Sequence, residues 1–191
     1  MKKAVLSFVV ILFACTLVVS AQPAGKKFEL GFSGSFTSFK FSYESDSTTV
    51  FNLPLRAGYY IWKGLEIEPE LMLTKAEGAD AGFILAANLA YNFNLKGNLR
   101  PFVLAGIGFG NGFTVANIAE GDSDVNATVV NLGLGVKYLI GNSAALRLEY
   151  RYTHNHMKYD YVIEAITIQQ AESGTENVNS HQILAGVSIF F

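Results

Sequence analysis

The sequence predicts an all-β protein, an eight-stranded antiparallel up-and-down transmembrane β-barrel preceded by a cleavable signal peptide. Eight segments alternate apolar and polar residues with a period of two, and the connections between them alternate between short and long. Half of the 191 residues are hydrophobic and only 16% are charged, against roughly 25% in an average globular domain. The single Cys excludes a disulfide framework, and a net charge of −2 offers no basic surface to nucleic acid.

The amino-terminal segment is predicted to be an export signal. Lys2 and Lys3 precede an uncharged stretch over 4–21 that ends in Ser20 and Ala21. A basic start, an apolar middle and a small-residue end are typical of a secretory signal peptide. We expect cleavage after Ala21, which divides the chain into a signal peptide (1–21) and a barrel domain (22–191). A helical membrane anchor and a lipoprotein signal at Cys15 are the alternatives.

Four alternating segments follow the signal peptide. They cover residues 28–39, 51–61, 65–73 and 83–94. Each places apolar side chains on one face and polar side chains on the other: Phe28 and Phe32 alternate with Glu29 and Ser33, for example. Pro69 interrupts the third segment, where the missing backbone donor predicts a local bulge.

Four more segments complete the set. They cover residues 101–110, 130–138, 146–152 and 182–191. The fifth segment is rich in Gly, and we assign Val103 and Ile107 to its apolar face and Gly106 and Gly108 to the other. Nine charges lie well inside the eight segments and all fall on the polar faces, an outcome that random placement gives about once in 500 trials. These charges are Glu29, Arg56, Glu66, Glu68, Glu70, Lys137, Arg147, Glu149 and Arg151.

The connections indicate which face is outside. A soluble barrel buries its apolar face, whereas a transmembrane barrel turns that face to lipid. Short connections at 62–64, 95–99 and 141–143 alternate with longer ones at 42–49, 75–82, 111–126 and 154–180. Tight periplasmic turns and long outer loops are typical of outer-membrane barrels, and aromatic residues near both ends of the apolar faces suit the two membrane interfaces.

With these features the chain resembles the small eight-stranded outer-membrane barrels of the OmpA/OmpX type, over essentially its whole length after the signal peptide. Gly186, Ile189 and Phe191 match the carboxy-terminal assembly signal of that family, while Leu184 departs from the polar residue expected at its start. The segments 101–106 and 146–152 also look typical. The resemblance implies export through the Sec route, insertion by the barrel-assembly machinery and residence in a Gram-negative-type outer membrane, among its lipid and lipopolysaccharide.

The lumen of such a barrel has room for little beyond side chains. Counting back from the turn at 62–64 places Arg56 opposite Glu70, and counting around 141–143 places Glu149 diagonal to Lys137. Because unpaired charges in so narrow a space are costly, we predict a near-neutral ion-pair network that fills the lumen, with inward Gly residues making room for it. Its predicted members are Arg56, Glu66, Glu68, Glu70, Lys137, Arg147, Glu149 and Arg151.

The sequence favours a monomer with a structural or surface-interaction role, in envelope integrity, adhesion or ligand display by its outer loops. A narrow gated pore for small solutes and a lipid A-modifying enzyme are the alternatives. We expect no catalytic residue and no cofactor, because His154 and His156 lack the His-x-Ser arrangement of a lipid A deacylase. We also expect no metal. Asp122 and Asp124 have the spacing that begins a calcium-binding loop, but the Gly and the closing Glu that such a loop requires are missing.

The connection 154–180 is the candidate contact with extracellular proteins. Residues 159–168 within it again alternate like a strand, which predicts a hairpin that extends the barrel above the membrane. The alternative is a loop without regular structure.

Overall fold

The computed structural model describes residues 25–39, 48–76, 81–95, 97–111, 125–165 and 168–191, which form one closed antiparallel barrel. Its strands are β1 (Phe28–Phe39), β2 (Thr48–Trp62), β3 (Leu65–Ala76), β4 (Ala81–Asn92), β5 (Leu99–Gly110), β6 (Val125–Ile140), β7 (Ala144–Ala165) and β8 (Ile168–Phe190). Each strand pairs with the next, and β8 pairs with β1. The eight-stranded up-and-down barrel is therefore confirmed, while the predicted signal peptide at 1–21 lies outside the described residues. No described helix is long and apolar enough to cross a membrane.

Side chains alternate between a polar lumen and an apolar exterior. Along β4 nearly every second residue is buried. The buried side chains include Glu66 and Arg151, both 0% exposed, whereas outward Phe36 and Ile183 are 79% and 69% exposed. This is the reverse of a soluble protein, because so much exposed apolar surface requires lipid around it.

The Gly-rich β5 follows the facing that the sequence suggested. Val103, Ile107 and Phe109 face outward, and Gly106 and Gly108 face the lumen. The same strand also turns apolar side chains inward, which the sequence alternation did not reveal. These inward residues are Phe102 and Leu104.

The prediction of a bulge at Pro69 is wrong, because the strand register is the same on both sides of this residue. The β2–β3 ladder omits the pair at Pro69 and resumes at Ile67 in the same register, and Pro69 stays opposite Ala87 on β4. The irregularity lies instead between Tyr60 and Trp62, beside the short turn. Gly64 adopts φ +80° there, the left-handed conformation that Gly accepts without steric cost.

The β7–β8 hairpin is much longer than a membrane crossing requires. β7 and β8 have 22 and 23 residues, against 12 to 16 in the other strands, whereas about 9–11 residues cross a bilayer. They remain paired as far as Ala165 and Ile168. Most of the segment 154–180 is therefore strand, as the hairpin interpretation expected and the loop interpretation did not.

Candidate functional site

The lumen holds the most elaborate polar arrangement among the described residues, and an apolar cluster lies towards each of its ends. Near the short turns one cluster of inward side chains consists of Tyr60, Leu139, Ala145 and Phe190, and buried polar residues such as Asn92 lie beside it. Near the opposite end a second apolar cluster crosses the barrel. It consists of Met72, Ile84, Ala86, Ala127, Val129 and Met157. Most of the buried charges lie between the two clusters, whereas Glu66 pairs with Tyr60 and Glu29 with Phe190 at the level of the first.

Arginines from β2 and β7 converge on two glutamates in the middle of the lumen. Arg151 donates to both oxygens of Glu70, over 2.6 and 2.9 Å, and to Glu149 Oε1 over 2.7 Å. Arg56 donates to Glu70 Oε2 over 2.7 Å and to the Ser33 hydroxyl over 2.6 Å. Each of these arginines therefore bridges groups on different strands, in the bidentate or forked geometry that guanidinium groups favour.

Arg147 adds Glu68, a second glutamate of β3, to this cluster. It donates to the two oxygens of Glu68 over 2.6 and 3.1 Å, and to Glu149 Oε2 over 2.8 Å. Its guanidinium also lies 4.5 Å from the centre of the Phe102 ring. A cation over an aromatic face gains electrostatic stabilisation, so Phe102 supports the network although it is apolar.

Lys137 forms a second centre nearer the short turns. Its ammonium group lies 2.6 Å from Glu29 Oε2 and 3.0 Å from Glu66 Oε2. The Tyr60 hydroxyl donates to the same Glu29 oxygen over 2.8 Å, and the Asn92 amide donates to Glu66 over 2.9 Å. Both glutamates are almost completely buried.

The structure brings all eight residues predicted for the ion-pair network together in the lumen. Two details differ from the sequence analysis. Lys137 is diagonal to Glu149 in register, yet its ion pairs are with Glu29 and Glu66 across the lumen. Glu29 thus joins the network, so the described residues place five buried carboxylates and four buried cations in the lumen, and the expected charge balance is off by one.

Three of the buried carboxylates approach one another closely enough to be compared with a metal site. Oxygens of Glu29, Glu66 and Glu68 all lie within 4.8 Å of each other. Lys137 and Arg147 already contact these groups, over 2.6 to 3.9 Å. The carboxylates are therefore neutralised by side chains, as in an ion-pair cluster.

The three histidines lie on strands and not in a loop. His154 and His156 of β7 and His181 of β8 face outward, and each ring binds a neighbouring side chain. Among the described residues no group of three potential ligands includes any of them. Asp122 and Asp124 of the calcium-loop comparison lie outside the described residues.

The residues of the suggested assembly signal lie on the seam between β1 and β8. Gly186 pairs with Ser33 and Ile189 with Leu30. The Phe191 amide donates to the Phe28 carbonyl over 2.9 Å, which continues the ladder to the end of the chain.

Comparisons with known proteins agree with this architecture. Neisserial surface protein A matches 86% of this chain and 96% of its own, with a TM-score of 0.58 and 18% identity. OprG from Pseudomonas aeruginosa matches over 91% and 99%, with a TM-score of 0.57 and 15% identity. The outer membrane enzyme PagL matches over 83% and 97%, with a TM-score of 0.51 and 14% identity. No curated protein sequence matches the chain.

Identities this low show a shared fold alone. Because a surface protein and an enzyme both have this fold, it carries no information on enzymatic activity. The model of the outer membrane protein beta-barrel domain, however, matches residues 9–191, nearly the whole chain. The chain therefore belongs to the family of outer membrane protein beta-barrel domains, and its place is the outer membrane of a Gram-negative-type envelope.

Proposed function

We propose that this barrel is a plugged scaffold with a structural and surface-interaction role. It supports the envelope and holds its outer connections, above all the long β7–β8 hairpin, towards ligands, host surfaces or neighbouring proteins. The observation that carries the proposal is the filled lumen, in which a buried ion-pair network occupies the interior together with two apolar clusters.

A plug of this kind resists opening because its charges hold one another across the barrel. Arg147 and Arg151 on β7 bind Glu68 and Glu70 on β3, which is four strands away. Removing one partner from a buried pair typically costs about 3–5 kcal/mol, since the remaining charge is left without compensation. Opening a path for solutes would disrupt several such pairs at once.

Planar-bilayer conductance of the purified protein tests the proposal. We expect no steady current from the wild type. The double variant Glu70→Ala/Arg151→Ala, which removes a pair joined by two hydrogen bonds across the barrel, should give frequent openings, whereas Lys75→Ala, an outward-facing exposed control, should behave as the wild type. Steady wild-type currents that Arg56→Ala or Glu70→Ala abolish would contradict the plug and favour a gated pore.

The enzyme alternative makes a different prediction. A lipid A-modifying barrel would change the mass of lipid A in cells that express it, and His156→Ala would abolish that change. For the scaffold proposed here we expect the same lipid A masses with and without the protein.

A further inference from the structure

The outer surface of β7 and β8 changes from apolar to polar above Tyr150 and Tyr152. Below them the outward side chains are apolar and exposed, such as Leu148 and Ile183. Above them they are polar for several successive pairs of the ladder. We call this polar set the histidine stripe. It consists of His154, His156, Lys158, Asn177, Asn179 and His181.

The tyrosines place the stripe at the level of the lipid headgroups. Tyr150 and Tyr152 face outward at the end of the apolar band, where outer-membrane barrels carry an aromatic girdle. Their hydroxyls bond upward into the stripe, Tyr150 to His181 Nδ1 over 2.6 Å and Tyr152 to Asn179 Oδ1 over 2.8 Å. Since the long connections face the cell exterior, these headgroups are those of the outer leaflet.

Cross-strand hydrogen bonds hold the histidine rings in fixed positions. His154 Nδ1 lies 2.7 Å from Asn179 Oδ1, and His156 Nδ1 lies 2.8 Å from Asn177 Oδ1. An amide oxygen only accepts, so each Nδ1 carries the proton and donates it. Within the described residues, Nε2 of both rings has no partner.

The stripe complements an anion. His154, His156, His181 and Lys158 can all carry positive charge, and the asparagine amides add donors. Thr128 and Asn126 of β6 lie beside His156 and Lys158 in register and carry no charge. Between Tyr150 and Lys158 on β7, and at the levels of β6 and β8 that pair with this stretch, no described outward side chain is a carboxylate that would repel a negative group.

We propose that the histidine stripe binds the phosphate of an outer-leaflet glycolipid, the phosphorylated lipid A part of lipopolysaccharide. Protonated His154 and His156 donate from Nε2, and Lys158 contributes its ammonium group, to the phosphate oxygens. The acyl chains lie along the apolar outward side chains below, beside Leu148 and Ile183. This site does not depend on the plugged lumen, because it lies on the opposite face of the same strands.

Lipid retention by the full-length barrel tests the site. The protein is placed in phosphatidylcholine nanodiscs, and its retention of phosphorylated lipid A is compared with that of enzymatically dephosphorylated lipid A. The test variant is His154→Gln/His156→Gln. The matched control is Lys75→Gln, an outward cation at the loop end of β3 on the far side of the barrel.

We expect the wild type and the control to retain phosphorylated lipid A about tenfold more strongly than the double variant, since two charge-assisted hydrogen bonds are lost. All three proteins should retain dephosphorylated lipid A equally weakly, and a normal shift in gel mobility on boiling should show that the double variant is folded. Equal wild-type retention of both lipids, or full retention by the folded double variant, would overturn the proposal. Displacement of the lipid by millimolar inorganic phosphate alone would do so too, because it would indicate a site for the free anion.

Discussion

Glu66 and Glu70 occupy equivalent inward positions on β3, yet their surroundings differ. Glu70 accepts three hydrogen bonds of 2.6 to 2.9 Å from two arginines, Arg56 and Arg151. Glu66 uses only Oε2, for Lys137 and Asn92, and its Oε1 has no partner among the described residues. Glu29 Oε1 also has no hydrogen-bond partner among them, but Glu29 lies within 3.9 Å of two cations, whereas Glu66 contacts Lys137 alone of the described cations. Because the described buried carboxylates outnumber the described buried cations by one, we infer that Glu66 is the carboxylate whose charge the lumen needs least.

We predict opposite sensitivities for these two positions. Glu70→Gln leaves two buried arginines short of negative charge and should lower the free energy of unfolding by about 3 kcal/mol or more. Glu66→Gln balances the buried charges of the described residues and keeps Lys137 paired with Glu29, so its cost should stay within about 1 kcal/mol. Urea unfolding in lipid vesicles, followed by the fluorescence of Trp62, the single Trp, measures both. Equal decreases in the free energy of unfolding for the two variants would contradict the different roles assigned to Glu66 and Glu70.

At this scale the sequence reveals which residues face the lumen but not which of them meet. Period-two alternation places Glu29, Lys137 and Glu149 inside, because the two faces of each strand meet different environments. Counting along one hairpin makes Glu149 the neighbour of Lys137. The long lysine side chain instead reaches across the barrel to Glu29, and contacts across a lumen depend on closure that no single hairpin encodes.

The seam between β1 and β8 explains why Gly stands at position 186. A Cβ there would meet the backbone carbonyl of Phe32 and would lie 2.6 Å from the Cα of Ser33. Gly31 lies on the same seam and also faces the lumen, yet a Cβ at that position would have ordinary contacts of 3.5 Å or more. The close approach of the two strands therefore requires Gly at one position only.

We predict that Gly186→Ala lowers the free energy of unfolding by about 1–3 kcal/mol, the usual cost of overpacking, while Gly31→Ala leaves it nearly unchanged. The same vesicle unfolding assay compares the two variants. If the two variants unfolded alike, the steric account of Gly186 would be wrong. A Gly186→Ala protein of normal stability that is inserted poorly in cells would instead support the assembly-signal interpretation of this residue.

The sequence predicts which segments form strands and which of their residues face outward, but it does not predict how long each strand is. The alternation of 146–152 and 182–191 identifies the cores of β7 and β8, but their pairing continues to Ala165 and Ile168. Polar outward residues such as His154 and Asn179 interrupt the apolar face and resemble a loop in the sequence. The backbone ladder nevertheless continues through this pair, and a side-chain hydrogen bond joins the two residues across the strands.

At the scale of the whole molecule, the exterior and the lumen stabilise the barrel by different means. Outward apolar side chains gain from lipid, and the closed ladder leaves neither edge of the sheet unpaired in the membrane. The lumen adds ion pairs between strands that are not neighbours, such as Arg147 on β7 with Glu68 on β3. Because these pairs link distant parts of the chain, the strands cannot separate one at a time without breaking them.

The intact barrel should therefore resist detergent until it is heated. We predict that the membrane-extracted protein migrates faster on a detergent gel when it is not boiled, since a closed barrel is more compact than the unfolded chain. Glu70→Gln should convert to the slow form at a lower temperature than the wild type and Glu66→Gln close to the wild-type temperature, because only the first leaves Arg56 and Arg151 undercompensated. A band that boiling does not move, together with recovery of the protein in the soluble fraction, would contradict a membrane barrel whose lumen ties its strands together.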